Sequence, residues 1–227
     1  MGKPELTEME REQIKTFGIN LKHRIDRKRH IVKQFEGRTD FNFELFDAIN
    51  DQNGSLGLIK SVVSIVRIAS KLDLKYVLIC EDDHEFTESF SPESLFNQIS
   101  CADKFGADIL LGGISWYDGI VRTDENLYWI NQFNGTQFLL IYKRFFPIIL
   151  NYNFSASDQL DVFISGVSSK IFTSFPFLSR QKYFGYSDAT TIHELNQIDS
   201  NELFLFTENK IEKIKKIYNF YSKKNSQ

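Results

Sequence analysis

Short apolar runs alternate with amphipathic stretches of helical length through the first half of this chain. No other feature of the sequence restricts its fold as much. "FGINL" (Phe17–Leu21), "FNFELFDAI" (Phe41–Ile49), "YVLIC" (Tyr76–Cys80) and "ADILLGGIS" (Ala107–Ser115) read as strands. Between them lies Asp26–Glu36, with Ile31, Val32 and Phe35 at helical spacing. Leu58–Leu72 follows, with Leu58, Ile59, Val62, Val63, Ile65, Val66 and Ala69 on one side. "DQNGSLG" is a turn, and Ser55 or a neighbour is the expected cap of that helix. A third helix, "SPESLFNQISCADKF", opens with Ser91 as N-cap and Pro92 at the first helical position. Strands separated by helices imply a largely parallel sheet with helices on its faces.

After Trp116 the pattern changes. Leu127–Tyr142 reads as two strands around an Asn134-Gly135 turn. "KRFFPIILNY" reads as a helix, with Pro147 in its first turn or at a kink, and Ser157–Ser169 as a short helix. "FPFLSRQKYFGYSDATTIHE" is mostly loop, and Glu208–Ser222 is a basic helix. Nothing resembling a linker divides the 227 residues. One domain, 1–227, is expected, with 208–227 as a basic C-terminal helix.

Composition narrows the function. A net charge of -3 and a pI of about 5.9 offer no chain-wide basic field, so nucleic acid is not an expected partner. Cys80 and Cys101 make no disulfide framework and fit a reducing compartment. The polar start "MGKPELTEMEREQIK" is no secretory signal. No apolar run approaches the ~20 residues of a membrane span. The 22 phenylalanines read as core filling.

The strand Tyr76–Cys80 runs directly into Glu81-Asp82-Asp83-His84. Ligands of open α/β sheets collect at the carboxyl ends of strands, and carboxylate oxygens suit hard cations such as Mg²⁺ and Mn²⁺. In an extended segment Glu81 and Asp83 share one face, while Asp82 and His84 point away. Arg24 and Arg27 follow the first strand, and a planar guanidinium suits phosphate.

Around these residues the chain resembles glycosyltransferase family 25, the lipopolysaccharide and collagen-type sugar transferases. The resemblance rests on ordered pieces running from about Phe17 to Asp188: "INLKHRIDRKRHI", "NGSLGLIKSV" with Gly54, Gly57 and Ser61, "YVLICEDD", "GTQFLLIYKRFFPIIL" and "DQLDVFI". The family's histidine after the helix serine is Val62 here. The resemblance implies an α/β, GT-A-like fold with a mixed, mostly parallel central sheet flanked by helices. It implies a hexosyltransferase using a nucleotide-sugar donor, a saccharide or lipid-linked saccharide acceptor and Mn²⁺ or Mg²⁺ in surface-glycan synthesis of the lipopolysaccharide or capsule type.

It also implies roles. Asp83 and Glu81 would hold the metal, with His193 closing its sphere. Asn20, Arg24, Arg27, Gly54, Glu81, Asp82 and Asp188 would meet the nucleotide-sugar. Asp161 would be the base of an inverting displacement, with Asp158 one helical turn before it. The tail places Ile211, Ile214, Ile217, Tyr218 and Tyr221 on one stripe among lysines. A helix docked on the core and a peripheral membrane helix are both compatible with that pattern. The location expected is cytoplasmic, with the second reading placing the protein at the inner face of the membrane. Two other functions fit the same residues: a metal-dependent phosphohydrolase of nucleotides or phosphosugars, and a non-catalytic glycan-binding relic of the fold.

Overall fold

A computed structural model describes residues 13–185 and 200–224. Strands β1 (Ile14–Asn20), β2 (Phe41–Asp47) and β3 (Tyr76–Glu81) alternate with helices α1 (Ile25–Phe35) and α2 (Gly54–Lys71). A short β4 (His84–Phe86) precedes α3 (Pro92–Lys104) and β5 (Ile109–Leu111). Then come β6 (Trp116–Arg122), β7 (Leu127–Asn134), β8 (Phe138–Tyr142), a 3₁₀ turn over Lys143–Phe145, α4 (Phe146–Asn151) and α5 (Leu160–Val167). The described chain continues with β9 (Ile171–Ser174), β10 (Ser179–Gln181) and α6 (Ser200–Lys224).

Eight strands form one sheet in the order β2-β1-β3-β8-β5-β9-β7-β6, and β10 pairs with β4 beside it. Within the eight, β8 and β7 run against the other six, so the sheet is mixed with most strands parallel in direction. This is the class that the alternation of apolar runs and helices predicts.

Period-two alternation along the strands builds a core on each face. Phe17, Ile19, Val77, Ile79, Leu139 and Ile141 point to one side, where α2, α4, α5 and α6 pack. Leu78, Cys80, Leu110, Phe138 and Leu140 point to the other, against α1 and α3. Both faces of the central strands are covered, which is why these strands read as continuous apolar runs.

Local chemistry sets the helix starts. Ser91 caps α3 as expected, its side chain accepting from Ser94 N at 3.1 Å. The cap of α2 is Asn53 rather than Ser55, with Oδ1 accepting from Leu56 N at 3.1 Å, and the helix begins at Gly54. Asn outranks a Ser two residues later because its amide oxygen reaches the free N–H groups of the first turn. Pro147 lies in the first turn of α4.

The Asn134-Gly135 pair does not close a hairpin. β7 pairs with β6 and β9, whereas β8 lies between β3 and β5. The connection runs instead against the segment leaving β5: Ser115 N donates to Asn134 O at 2.9 Å, and Gln137 Nε2 to Gly113 O at 3.1 Å. Gly112 makes that passage feasible beside Phe138, and Gly113 admits the segment entering β10. A Cβ on Gly112 would lie 2.6 Å from the Phe138 ring, and one on Gly113 2.2 Å from Ser179 O. Strands β4, β6, β9 and β10 are additions to the predicted set, and α6 is helical over Ser200–Lys224, reaching back beyond the predicted Glu208.

Candidate functional site

The carboxyl ends of β1 and β3 lie side by side, because Ile19 is in register with Glu81. That register brings Asn20 next to the turn Asp82–Asp83. Asn20 is buried and donates from Nδ2 to Asp82 Oδ2 at 2.8 Å and to Arg24 O at 3.2 Å. Arg27, in the first turn of α1, reaches the same acids. Its Nη1 lies 3.0 Å from Asp82 Oδ1 and 3.2 Å from Asp83 Oδ2. All three side chains are largely buried, so this is a desolvated charge cluster rather than a surface pair.

The two-residue alternation stops at the turn. Glu81 follows it, taking a 2.5 Å hydrogen bond from Thr136 Oγ1, while its N–H donates to Gln137 O at 3.1 Å. Asp83 does not turn away from Asp82 as an extended chain requires: both meet one guanidinium. The physical reason is that β3 ends at Glu81, and residues 82 and 83 form a turn before β4 begins. β10 supplies a further support, with Gln181 Nε2 donating to Asp83 Oδ2 at 2.8 Å.

Burial governs the electrostatics. Desolvation, then the neighbouring Asp83 charge, pushes the Glu81 carboxyl up to about 8, against the pull of its Thr136 hydrogen bond. Asp83 is raised to about 6 by desolvation and by Asp82, with Arg27 opposing the rise. Asp83 Oδ1 and Asn20 Oδ1 are buried and have no hydrogen-bond partner among the described residues. Unsatisfied acceptor oxygens in such a place are matched by a cation or by a ligand's donors.

His84 turns into an aromatic cage instead of joining the acids on Arg27. It is fully buried, with Nδ1 2.7 Å from Ser179 Oγ and rings of Phe35, Phe86 and Phe138 around it. Burial, then the nearby His30 and Arg38, depresses its pKa to about 3. Its carbonyl lies 2.9 Å from His30 Nε2, which ties β4 to α1.

The remaining expected residues divide. Gly54 opens α2. Gly57 and Ser61, from the same motif, hold α2 against the loop after β2. A Cβ on Gly57 would sit 2.7 Å from Ile49 O, and Ser61 Oγ accepts from Ile49 N at 2.8 Å. Val62, where the resembling family has histidine, is buried in the core. Asp158 lies before α5, accepting from Ser155 N at 2.6 Å and Ser155 Oγ at 2.9 Å. Asp161 stands in the first turn of α5, partly buried, and desolvation raises its carboxyl. Beside α5 is a cleft of about 380 Å³ lined by Tyr152, Ser157, Asp158, Gln159, Val162 and Phe163. Asp188 and His193 lie outside the described residues.

Thr136 and Gln181 were not among the expected site residues. Thr136 had a signal, since it belongs to the "GTQFLLIY" piece. Gln181 had none, because β10 is only three residues long.

No protein family and no curated protein sequence matches the chain. Solved structures do. Protein A197 from STIV is 12% identical and aligns over 78% of this chain and 87% of its own, with a TM-score of 0.51. A glycosyltransferase involved in glycosylating the major capsid of PBCV-1 is 12% identical over 61% of this chain and 64% of its own, with a TM-score of 0.41. A UDP-glucose pyrophosphorylase complexed with UDP-glucose is 9% identical over 89% of this chain and 99% of its own, with a TM-score of 0.46. The first shares the fold, and at that identity the likeness extends to fold alone. The shared architecture is a mixed, mostly parallel central sheet flanked by helices, with the antiparallel β8 inserted beside the acid-bearing β3.

Proposed function

We propose that this protein is a glycosyltransferase that moves a sugar from a nucleotide-sugar to a saccharide acceptor by a single inverting displacement, assisted by Mn²⁺ or Mg²⁺. The observation that carries this reading is the grouping of Glu81, Asp82 and Asp83 with Asn20 and Arg27 at the carboxyl edge of β1 and β3, with Asp83 Oδ1 buried and unpartnered among the described residues. That edge is where α/β sheets bind ligands.

The donor set fits a hard cation. Among the described residues no three metal-ligating side chains converge. Mg²⁺ and its like, however, are often held by one or two carboxylates plus substrate phosphates and water. Asp83 and Glu81 are the two that would hold it. Bound there, it would supply neutralising charge for the departing diphosphate.

The chain's own groups have distinct tasks. Asn20 and Arg27 fix Asp82, so that the edge presented to a nucleotide is rigid. Arg27 and Gln181 fix Asp83 and leave its second oxygen open. Asp161 takes the proton of the attacking acceptor hydroxyl, and its desolvation shifts it toward neutral pH, which improves a general base. The cleft along α5 has aromatic and polar walls suited to a saccharide. Asp158, held by Ser155, lines that cleft and is the second candidate for the base. The family resemblance supports a hexosyl donor and an acceptor of the surface-glycan type.

The test is a panel of nucleotide-sugars with Mn²⁺, followed by nucleotide release and thermal shift. One donor is expected to raise Tm and to release its nucleotide in the presence of a saccharide acceptor, and Asp83→Ala to abolish both. The reading fails if no donor stabilises the protein and Asp83→Ala leaves the metal response unchanged. Orthophosphate release would indicate a phosphohydrolase instead. Donor binding with no turnover on any acceptor would indicate a non-catalytic relic.

A further inference from the structure

Helix α6 is docked along its first half and largely exposed along its second. Phe204, Thr207 and Ile211 are buried, and Thr207 Oγ1 donates to Ser115 O at 2.7 Å. Further on, Ile217, Tyr218, Phe220 and Tyr221 are 59%, 51%, 56% and 60% exposed. At helical spacing, Ile214, Ile217, Tyr218 and Tyr221 form one stripe that extends the docked face beyond the body. Between Lys210 and Lys224 the helix carries six lysines against one acid, Glu212, in a chain whose net charge is -3. Lys215 turns back toward the body, 5.7 Å from the Phe175 ring centroid. Lys213 and Lys216 are exposed beside the stripe, with Lys216 Nζ 3.7 Å from Glu212 Oε1. The projecting part is braced by β6: Arg122 Nη1 donates to Asn219 Oδ1 at 2.8 Å, and its guanidinium lies 4.6 Å from the Tyr218 ring centroid.

We propose that the projecting half of α6 is a docking surface for an anionic lipid bilayer, lying in the headgroup plane. An isoleucine and aromatic stripe fits the boundary between headgroup and acyl chain, and flanking lysines fit lipid phosphates. Charge selects this occupant over a second copy of the chain. Stripe-to-stripe packing of two copies would bring like-charged lysines together, whereas an anionic surface supplies the opposite sign. No helix among the described residues is long and apolar enough to cross a membrane, so the contact is peripheral. The proposal is independent of the transferase reading, and either can fail alone.

The full chain, sedimented with vesicles of phosphatidylcholine mixed with phosphatidylglycerol, pellets with them and is released by salt. With pure phosphatidylcholine it stays in solution. Ile217→Ser with Tyr221→Ser abolishes pelleting at unchanged Tm, since both side chains are exposed. Lys213→Glu and Lys216→Glu each weaken partitioning by about fivefold or more, from the usual contribution of one lysine at an anionic surface. The proposal is overturned if the wild-type protein pellets with neither vesicle or equally with both, or if the serine variant pellets as the wild type does. A stripe-dependent dimer that ignores vesicles, or stripe-dependent retention on nucleic acid in their place, overturns it equally.

Discussion

Arg27 reaches out of α1 to place Nη1 3.0 Å from Asp82 Oδ1, joining two residues separated by 55 positions across the edge of the sheet. The same nitrogen serves Asp83. A single guanidinium therefore holds two buried acids of the candidate site, and the first prediction concerns its removal. Arg27→Ala leaves Asp82 and Asp83 buried without that counter-charge. The expected loss is about 3 kcal/mol or more, the range seen when one partner of a buried ion pair is deleted. Urea unfolding measures it. A loss below about 1 kcal/mol would show that water replaces the guanidinium at little penalty.

Glu81 makes the metal-free protein sensitive to rising pH. Its carboxyl is raised from 4.5 to about 8, so the folded chain holds that proton more tightly than the unfolded one. The stability it contributes is fully present below the ordinary value and is lost as pH climbs through the raised one. In EDTA, wild-type Tm should fall relative to Glu81→Gln across that window. Mg²⁺ should restore the wild type at the alkaline end, because ligation needs the deprotonated carboxylate. Parallel curves for the two proteins would count against the assignment.

His84 acts at the opposite end of the scale. Its pKa is lowered from 6.5 to about 3, so protons favour the unfolded chain. The stability it contributes is present above the ordinary value and is lost as pH falls toward the depressed one. A tenfold difference in proton affinity between folded and unfolded chain is worth about 1.4 kcal/mol. His84→Gln should therefore flatten the acid limb of the stability curve by a few kcal/mol. An acid limb as steep as that of the wild type would show that other groups cause it.

Asp161→Asn separates chemistry from binding. Loss of a general base lowers turnover by about 10²–10⁴-fold. The donor-induced thermal shift should persist, since the Asp161 carboxylate accepts its hydrogen bond within its own helix, from Val162 N. A variant that keeps its rate would move the base elsewhere.

Gly57→Ala tests the packing that carries α2 to the site. The added methyl would sit 2.7 Å from a backbone carbonyl, that of Ile49, which has no side-chain freedom to yield. The expected penalty is about 1–3 kcal/mol, as for overpacked cores. Chemical denaturation reads it, and a neutral result would mean that the loop after β2 shifts freely.

Much of the fold was legible because two signals agreed. Tyr76–Cys80 and its neighbours read as strands since both faces are buried, and Ser91-Pro92 marked α3 by its capping chemistry. Where a signal stood alone, it misled. Asn134-Gly135 has hairpin composition, yet the chain crosses the segment leaving β5, a passage permitted by Gly112 that a local turn motif does not reveal. β6 was missed because its sequence, "WYDGIVR", carries an aspartate and a glycine inside the strand. In the site, the acids and Asn20 follow from strand ends. The sharing of Arg27 by Asp82 and Asp83 does not, because a turn cancels the alternation from which their directions were read.

The position of β8 has a consequence for how the protein is made. β3 pairs with β1 on one side and with β8, about 60 residues downstream, on the other. On a ribosome adding about 5–20 residues per second, that second edge emerges several seconds before its partner exists. The nascent chain thus carries an apolar strand, with an open row of amide and carbonyl groups and three acids at its tip, until Phe138–Tyr142 arrives. Chaperones that cover such edges should associate with it during that interval, and Glu81 and Asp83 should acquire their raised proton affinity only after the sheet closes over them.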